Sequence, residues 1–244
     1  MNGIEIIEPR WPVPRVHAAF TLRTGGVSAA PFDSLNLGAH VGDAPEAVEE
    51  NRRRLRQRLR LPAEPVWLQQ VHGVVVADLD GVGAPGVADA AVTRREGRVC
   101  VIQVADCIPV LLAARDGSAV AAAHAGWRGL VAGVLEATVR SLQVRGEELC
   151  AWLGPGIGVR HFEVGEEVRS AFVDGDPRAA SAFAPNLQGR WQCDLAALAR
   201  SRLSNLGVRE IYGGDCCTYA AAGRFFSYRR EGRCGRMAAL IWLG

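Results

Sequence analysis

The chain has no lysine at all, so arginine supplies each of its 28 basic residues. These arginines are balanced by 26 acidic residues, which leaves a formal net charge of only +2. Proteins that bind nucleic acid through its phosphates need a clear local excess of positive charge. The composition therefore gives no indication of a nucleic-acid partner.

Long apolar runs are also missing, since none approaches the roughly 20 residues that a helix needs to cross a membrane. The first residues lack the basic stretch followed by an apolar stretch that marks a secretory signal. We therefore expect no membrane partner and a cytoplasmic location. The seven cysteines are odd in number and irregularly spaced, which favours reduced thiols over a disulfide framework.

Histidine is scarce, with five residues in the whole chain. Blue-copper oxidation followed by reduction of oxygen needs several copper centres, each rich in histidine ligands. Once two histidines are assigned to the site discussed below, only His17, His40 and His161 remain. These are too few for such a cluster, so an oxidase activity would have to depend on copper in a single or adventitious site.

The chain does contain enough apolar residues for a substantial core, because 49% of its 244 residues are hydrophobic. Strand-like runs and helical patterns follow one another irregularly, and no internal repeat or low-complexity linker separates them. The sequence predicts one compact domain over residues 1–244, of the α+β (mixed α/β) class. We expect mixed sheets flanked by helices, with layers of the αββα type.

Individual elements are predicted from apolar periodicity, caps and breakers. Strands are predicted at 4–7, 16–21, 66–71, 74–79, 88–93, 99–105, 110–114, 118–123, 148–153 and 237–243. Helices are predicted at 43–60, 129–142 and 195–206, and a fourth ends at 173. Asp43 and Asp194 are the expected N-caps. A glycine-rich turn is predicted at 81–86, and an irregular excursion at 176–188.

Three side chains that commonly bind metals, His72, Cys107 and His124, each end or follow an apolar run. Because α/β proteins place ligands at strand ends, the fold could bring the three together. Two imidazoles and one thiolate are a ligand set that catalytic zinc uses, with the fourth position left for water. We predict a zinc site here, with copper as the alternative metal.

The same residues allow other kinds of protein. Without a metal, Cys107 would be the nucleophile of a cysteine hydrolase, with His124 or His72 as its base. A structural zinc in a non-catalytic module would instead be needed for folding. Asp106, next to Cys107, is a further candidate catalytic residue, expected to orient a ligand histidine or to move protons.

The chain resembles the YfiH-like family in three segments: Gln-Val-His-Gly at 70–73, Ala-Asp-Cys-x-Pro-Val-Leu-Leu at 105–112, and His-Ala-Gly-Trp-Arg-Gly at 124–129. The likeness extends from 21–26 to 226–230 and 235–237. The family is known as polyphenol oxidase of the laccase type and as purine nucleoside phosphorylase. The resemblance implies phosphorolysis of adenosine, inosine and methylthioadenosine, together with adenosine deaminase activity. Some members edit peptidoglycan precursors, so an amide hydrolase is the alternative.

Phosphate must be held by cations and backbone donors. Arg23, Arg128 and Arg229 lie in family-like motifs, and each is expected to hold phosphate or a purine edge, unless it only packs against the protein. The glycine pair after Arg23 lets backbone N–H groups approach an anion. Asn36 is expected to bind a polar ligand or else to fasten its own loop. The partners implied are nucleosides and phosphate.

Overall fold

The computed structural model describes residues 3–81 and 86–244. Residues 82–85 of the predicted glycine-rich turn lie outside this part. The α-helices are α1 (Pro45–Leu59), α2 (Trp127–Ala132), α3 (Val134–Leu142), α4 (Glu166–Val173), α5 (Leu195–Asn205) and α6 (Tyr228–Glu231). The strands are β1 (Ile6–Ile7), β2 (Val16–Thr21), β3 (Val76–Asp78), β4 (Ala90–Thr93), β5 (Val99–Val104), β6 (Ile108–Ala114), β7 (Val120–Ala125), β8 (Leu149–Leu153), β9 (Glu163–Val164), β10 (Phe183–Pro185), β11 (Trp191–Cys193), β12 (Glu210–Gly213) and β13 (Met237–Leu243).

Two larger sheets form the centre of the molecule. One has the strand order β12-β8-β6-β7-β4-β3 and the other the order β1-β2-β13-β5, while β10, β11 and β9 form a small separate sheet. In the six-stranded sheet β12 runs parallel to β8 and β3 parallel to β4, whereas the remaining pairs are antiparallel. This sheet is therefore mixed, as predicted.

The two larger sheets pack face to face because their strands alternate between two cores. In β13, Ala239 and Ile241 face the core between the sheets. The neighbouring residues Leu240 and Trp242 face the opposite way, where Leu55 of α1 covers them. Helices α2 to α5 cover the outer face of the six-stranded sheet. These layers follow the predicted αββα order and confirm the α+β class.

The predicted helix at 129–142 is divided in the structure. Gly133 has a φ of 97° and ends α2, and α3 begins at the next residue. Asp194 does cap α5, since its carboxylate accepts a hydrogen bond from the Ala197 N–H at 2.8 Å. Asp43 does not cap α1, whose N-cap is Ala44. Its carboxylate accepts instead from Ser28 and Asn36, which anchor the preceding loop.

The strand predicted at 66–71 is reduced to isolated bridges at Val66 and Gln69. The side chain of Gln70 takes the place of a strand neighbour, because it donates to the carbonyl of Gln103 and accepts from its N–H, both at 2.8 Å. Part of the predicted excursion at 176–188 is ordered as a short 3₁₀ helix and β10. All seven cysteines are free thiols, as expected.

Within the described part of the chain, no helix has both the length and the apolar character required to cross a bilayer.

Candidate metal centre

His72, Cys107 and His124 meet at one end of the layer between the two sheets. Because β6 and β7 are antiparallel neighbours, the start of β6 lies beside the end of β7. Cys107 directly precedes β6, and His124 is the next-to-last residue of β7. One ligand atom from each of the three residues lies within 4.8 Å of the others. The structure thus brings together the three residues that the sequence suggests as metal ligands.

Asp89 holds the turn that carries His72. Its carboxylate is completely buried and accepts the backbone N–H groups of Val71, His72 and Gly73 at 3.1, 2.8 and 2.6 Å. Three successive N–H groups converge on one anion because His72 adopts a positive φ of 62°. The backbone of the turn is therefore fixed by a side chain from a different segment.

Asp89 also orients His124. The Nδ1 of His124 lies 2.9 Å from Asp89 Oδ1, and the backbone N–H of His124 donates to the Asp89 carbonyl at 2.8 Å. Burial opposes the charged carboxylate, but hydrogen bonds from His124 and from the turn lower the pKa of Asp89 below its usual value. With Nδ1 occupied in this way, Nε2 is the nitrogen of His124 that can bind a metal.

The sequence analysis missed Asp89. The sequence contains one sign of its role. Asp89 is the single acidic residue in the small apolar stretch from Ala88 to Val92, and it directly precedes β4. A carboxylate in such a position is buried only when it is paired or hydrogen-bonded. Its partner, however, depends on how β4 and β7 pair, which the sequence pattern does not state.

The three residues fit a metal ion. The Sγ of Cys107 lies 3.7 Å from His72 Nε2, close to the roughly 3.5 Å that a tetrahedral zinc ion would impose between a sulfur and a nitrogen ligand. Gly126 leaves room for the site, since a Cβ there would lie 2.8 Å from Cys107 Sγ and 2.9 Å from His72 Cδ2. The three ligands differ in burial: His72 is exposed, Cys107 is half-buried and His124 is buried. Three ligands on one side leave a position that faces the solvent.

The electrostatics favour a negatively charged sulfur. Burial alone would raise the pKa of the Cys107 thiol, but the charge of His124 and hydrogen bonds from both histidines lower it to about 6. Burial likewise opposes charge on His124, and the Cys107 thiolate together with Asp89 raises its pKa to about 9. A thiolate beside a cation is suited both to metal binding and to nucleophilic attack.

A cavity of about 510 Å³ opens over these ligands, and we call it the metal cavity. Two of the arginines suggested by the sequence line it, Arg128 on α2 and Arg229 on α6. The guanidinium of Arg128 lies 4.5 Å from the centroid of the Trp127 ring, and that of Arg229 donates to the Glu163 carbonyl at 2.9 Å. The structure thus places these two arginines in the lining of the same cavity as the metal ligands.

Asp106 lines the metal cavity but does not orient a ligand histidine as the sequence analysis expects. Its carboxylate accepts from the Thr218 hydroxyl at 2.6 Å and from the backbone N–H of Arg229 at 2.7 Å. The residue has a φ of 97°, in the left-handed region that residues other than glycine seldom adopt. Asp106 therefore fastens the start of α6, and Asp89 is the carboxylate that orients His124.

Arg23 and Asn36 are not among the described residues that line the metal cavity. Arg23 lies over the Phe226 ring and pairs with Glu231 of α6 at 2.7 Å. Asn36 is fully buried, donates to Asp43 at 2.9 Å and accepts the N–H groups of Gly38 and Arg236, each at 2.9 Å. For Asn36 the expectation of a loop-fastening role fits these contacts better than ligand binding. Arg23 supports α6 through its ion pair with Glu231, outside the metal cavity.

No role was predicted from the sequence for the other residues of the metal cavity, although Gln70, Tyr228 and Arg236 lie in family-like segments. These other residues, which come from several distant segments, are His40, Gln70, Gln103, Val104, Ala105, Ile157, Phe162, Tyr228 and Arg236. Phe162 and Tyr228 are aromatic and Ile157 is aliphatic, whereas the amides and His40 offer hydrogen bonds. The cavity therefore combines flat apolar surfaces with polar groups, as sites for small polar molecules commonly do.

The remaining histidines do not form a copper cluster. His17 stacks on Trp242 and His161 stacks on Tyr219, with ring centroids 5.4 and 4.5 Å apart. Across residues 3–81 and 86–244, the one cluster of histidine, cysteine or acidic side chains close enough to hold a metal is His72, Cys107 and His124. This arrangement agrees with the histidine count, which leaves too few ligands for several copper centres.

The chain is similar to several known proteins over nearly its whole length. The family model that matches residues 17–244 is described as multi-copper polyphenol oxidoreductase laccase. A purine nucleoside phosphorylase of Pseudomonas aeruginosa is 56% identical over 239 residues, covering 97% of this chain and 98% of that protein. The purine nucleoside phosphorylase YfiH of Escherichia coli is 53% identical over 241 residues, covering 98% and 99%. A crystal structure of a Neisseria meningitidis protein has a TM-score of 0.92 at 46% identity and 98% coverage of both chains.

Proposed function

This chain belongs to the YfiH-like family, whose model is described as multi-copper polyphenol oxidoreductase laccase, and we propose that it is a zinc-dependent purine nucleoside phosphorylase with adenosine deaminase activity. Relatives named purine nucleoside phosphorylase, at 56% and 53% identity, support an enzyme of this kind. The observation that carries the proposal is the metal cavity itself. It is lined both by three metal ligands and by arginines, among them Arg128 and Arg229, a combination suited to a reaction between a nucleoside and phosphate.

His72, Cys107 and His124 would hold the zinc ion. When bound, zinc acts as a Lewis acid and brings the pKa of a water ligand towards neutrality. The chain contributes the geometry: Asp89 keeps the Nδ1 proton of His124 in place and fixes the turn that presents His72. Gly126 keeps the space beside Cys107 and His72 free of side-chain atoms.

Arg128 and Arg229 would bind phosphate in the metal cavity. A guanidinium matches two phosphate oxygens and remains charged at any physiological pH. With the phosphate oriented under the sugar, one of its oxygens attacks C1′ and the bond from C1′ to the purine nitrogen breaks. The purine leaves with the bonding electrons and takes up a proton, and the second product is ribose 1-phosphate.

The aromatic and amide groups of the cavity would bind the purine. Phe162 and Tyr228 offer ring surfaces, and Gln103 offers an amide in the lining of the same cavity. Deamination uses the same base position but a different attacking group, because water adds at C6 and ammonia leaves. The products therefore separate the two activities: the free base forms only with phosphate, whereas inosine forms without it.

The test combines metal analysis of the purified protein with a nucleoside screen. We expect about one zinc ion per chain. Adenosine with phosphate should yield adenine and ribose 1-phosphate, and adenosine without phosphate should yield inosine. Inosine and methylthioadenosine should release their bases only when phosphate is present. Formation of neither free base nor inosine by zinc-loaded protein would overturn the proposal.

A second candidate is an amide hydrolase that cleaves a wrongly incorporated amino acid from a peptidoglycan precursor. The lowered pKa of Cys107 beside His124 favours it, because a thiolate with an adjacent imidazole is the arrangement of a cysteine nucleophile. Cleavage of such a precursor by metal-free protein, together with inactivity towards nucleosides, would select this candidate. The relatives' names and the two arginines favour the phosphorylase.

A further inference from the structure

The metal cavity is one part of a larger cleft, which consists of two neighbouring cavities. A second cavity of about 500 Å³ adjoins the metal cavity, and the two share His40, Gln70 and Gln103 in their linings. The second cavity then extends away from the metal ligands towards Arg52 and Trp67. We call it the side cavity. Because it is about as large as the metal cavity, the whole cleft has room for more than a nucleoside and phosphate.

Arg52 gives the side cavity a cation in a fixed position. Its guanidinium lies over the Trp67 ring, 3.9 Å from the centroid. Its Nε and Nη2 both donate to the Leu37 carbonyl, at 3.0 and 2.8 Å. A guanidinium has five N–H donors, so these contacts orient the group and leave further donors for a ligand. Burial lowers the pKa of Arg52 only to about 10, so the side chain stays charged at neutral pH.

No carboxylate lines the side cavity in the part of the chain that the structure describes. Two acids, Glu49 and Glu64, line the next groove along α1, which Arg52 also borders. Glu64 accepts from the Trp67 indole N–H at 3.1 Å and pairs with Arg56 at 4.0 Å. The cleft therefore has cations in both parts, with Arg52 in the side cavity and Arg128, Arg229 and Arg236 in the metal cavity. Such a cleft suits two anionic groups at once, one in each cavity.

Gln103 lies between the two cavities with an unused hydrogen-bond acceptor. Its side chain is only 5% exposed, and its Oε1 has no partner among the described residues. The backbone of Gln103 is held at both its N–H and its carbonyl by the side chain of Gln70. Buried amide oxygens are normally satisfied, so the Gln103 side chain would gain a hydrogen bond by rotating its buried Oε1 towards a ligand hydroxyl or amino group in the cleft.

From these observations we propose that the side cavity binds an anionic group attached to the nucleoside, so that the whole cleft prefers a nucleoside 5′-phosphate over the free nucleoside. Arg52 binds the 5′-phosphate, and Gln103 accepts a hydrogen bond from the ligand between the two cavities. The 5′ position is free for this role because phosphorolysis takes place at C1′. This inference rests on the proposed function, since the nucleoside itself occupies the metal cavity.

The first test is calorimetric titration with adenosine and with AMP, carried out on metal-stripped protein so that neither ligand is turned over during the measurement. We expect AMP to bind at least about tenfold more tightly, as a charge-assisted contact to one more guanidinium would give. Saturating inorganic phosphate should leave AMP binding unchanged, because Arg128 and Arg229 hold the inorganic phosphate. Competition between the two would mean that the 5′-phosphate occupies the inorganic phosphate position. That result, or equal affinity for AMP and adenosine, overturns the inference.

Two matched variants locate the contact. Ala39 is exposed and lines the side cavity, but it is not among the described residues of the metal cavity. Ala39→Glu adds a negative charge beside Arg52, and Ala39→Gln adds similar bulk without charge. We expect Ala39→Glu to lose the preference for AMP and Ala39→Gln to keep it, with adenosine affinity similar in both. Equal AMP affinity in the two variants would contradict the proposed site.

Arg52→Gln should also abolish the preference for AMP, whereas Arg53→Gln should keep it, because the exposed Arg53 pairs with Glu50 and does not line the side cavity. These measurements record binding rather than turnover. If adenosine and phosphate yield no free base while AMP still binds preferentially, the phosphorylase proposal fails and the side cavity stands. If free base forms but AMP has no advantage, only the side cavity is wrong.

Discussion

The two walls of the metal cavity are supported in different ways. The metal wall consists of His72, Cys107 and His124, and it is fixed by the pairing of β6 with β7 and by the buried carboxylate of Asp89. The arginine wall consists of Arg128 and Arg229 on α2 and α6, helices of only six and four residues. Both arginines are exposed.

This difference corresponds to what each wall has to do. Metal ligands must keep their distances within a few tenths of an ångström, so they stand on paired strands with supporting hydrogen bonds. Arginines that bind a small anion can adjust along a long side chain, and they must let the ligand enter and leave. Substitutions should therefore act on metal affinity at the first wall and on turnover at the second.

The largest effect should come from Cys107→Ala, which removes one of three metal ligands. We expect loss of stoichiometric zinc and of nucleoside turnover, because two histidines alone hold zinc weakly. Elemental analysis and product chromatography measure both. Cys216→Ala is the matched control, since Cys216 is an exposed thiol outside the cavity and its loss should change neither quantity. Full zinc occupancy in Cys107→Ala would remove Cys107 from the ligand set.

Asp89→Asn should have the second-largest effect. Asp89 accepts three backbone N–H groups and the His124 N–H, and an asparagine presents its own NH₂ group to some of these donors. We expect zinc affinity to fall by about 10- to 100-fold and the free energy of unfolding to fall by about 1–3 kcal/mol. Zinc titration and denaturant unfolding measure these changes.

The comparison variant is Asp106→Asn, which belongs to the arginine wall. Asp106 contacts Thr218 and the backbone of Arg229, so its replacement should lower turnover while zinc affinity stays near that of the natural protein. Equal losses of zinc affinity in Asp89→Asn and Asp106→Asn would show that the two walls are not separately supported.

Gly126→Ala should have a smaller effect on the metal wall. The new Cβ would lie 2.8 Å from Cys107 Sγ, so Cys107 or His72 must move. We expect about a tenfold loss of zinc affinity, because the ligands remain present but shift out of position. At Gly129, in α2, a Cβ would meet no atom closer than 3.4 Å. Gly129→Ala should therefore bind zinc normally, and unchanged affinity in Gly126→Ala would refute the steric account.

The sequence predicted the metal wall more completely than the arginine wall. The metal ligands could be identified because each is a distinctive residue type beside an apolar run, and β2 and β13 were predicted with their observed limits. Arg23 and Arg229 could not be told apart, since both lie in family-like segments and only the position of α6 decides which one lines the cavity. Asp89 was missed because its four hydrogen bonds come from segments far apart in the sequence.

The smallest effect should come from Arg128→Lys, which keeps the charge but loses the forked geometry. We expect the KM for phosphate to rise by about tenfold, with zinc content and the free energy of unfolding unchanged, because Arg128 is exposed. Arg140→Lys on α3 is the control, since Arg140 is also exposed and lies outside the metal cavity. An unchanged KM in Arg128→Lys would leave Arg128 with only its contact to Trp127.

The central claim is that the metal wall and the arginine wall act together on a nucleoside and phosphate. It is tested most directly by titrating metal-stripped protein with zinc while adenine release from adenosine and phosphate is measured. The account predicts no release at the start, a linear rise, and a plateau at about one zinc per chain. Full adenine release before any zinc is added, or none after one equivalent is bound, would contradict it.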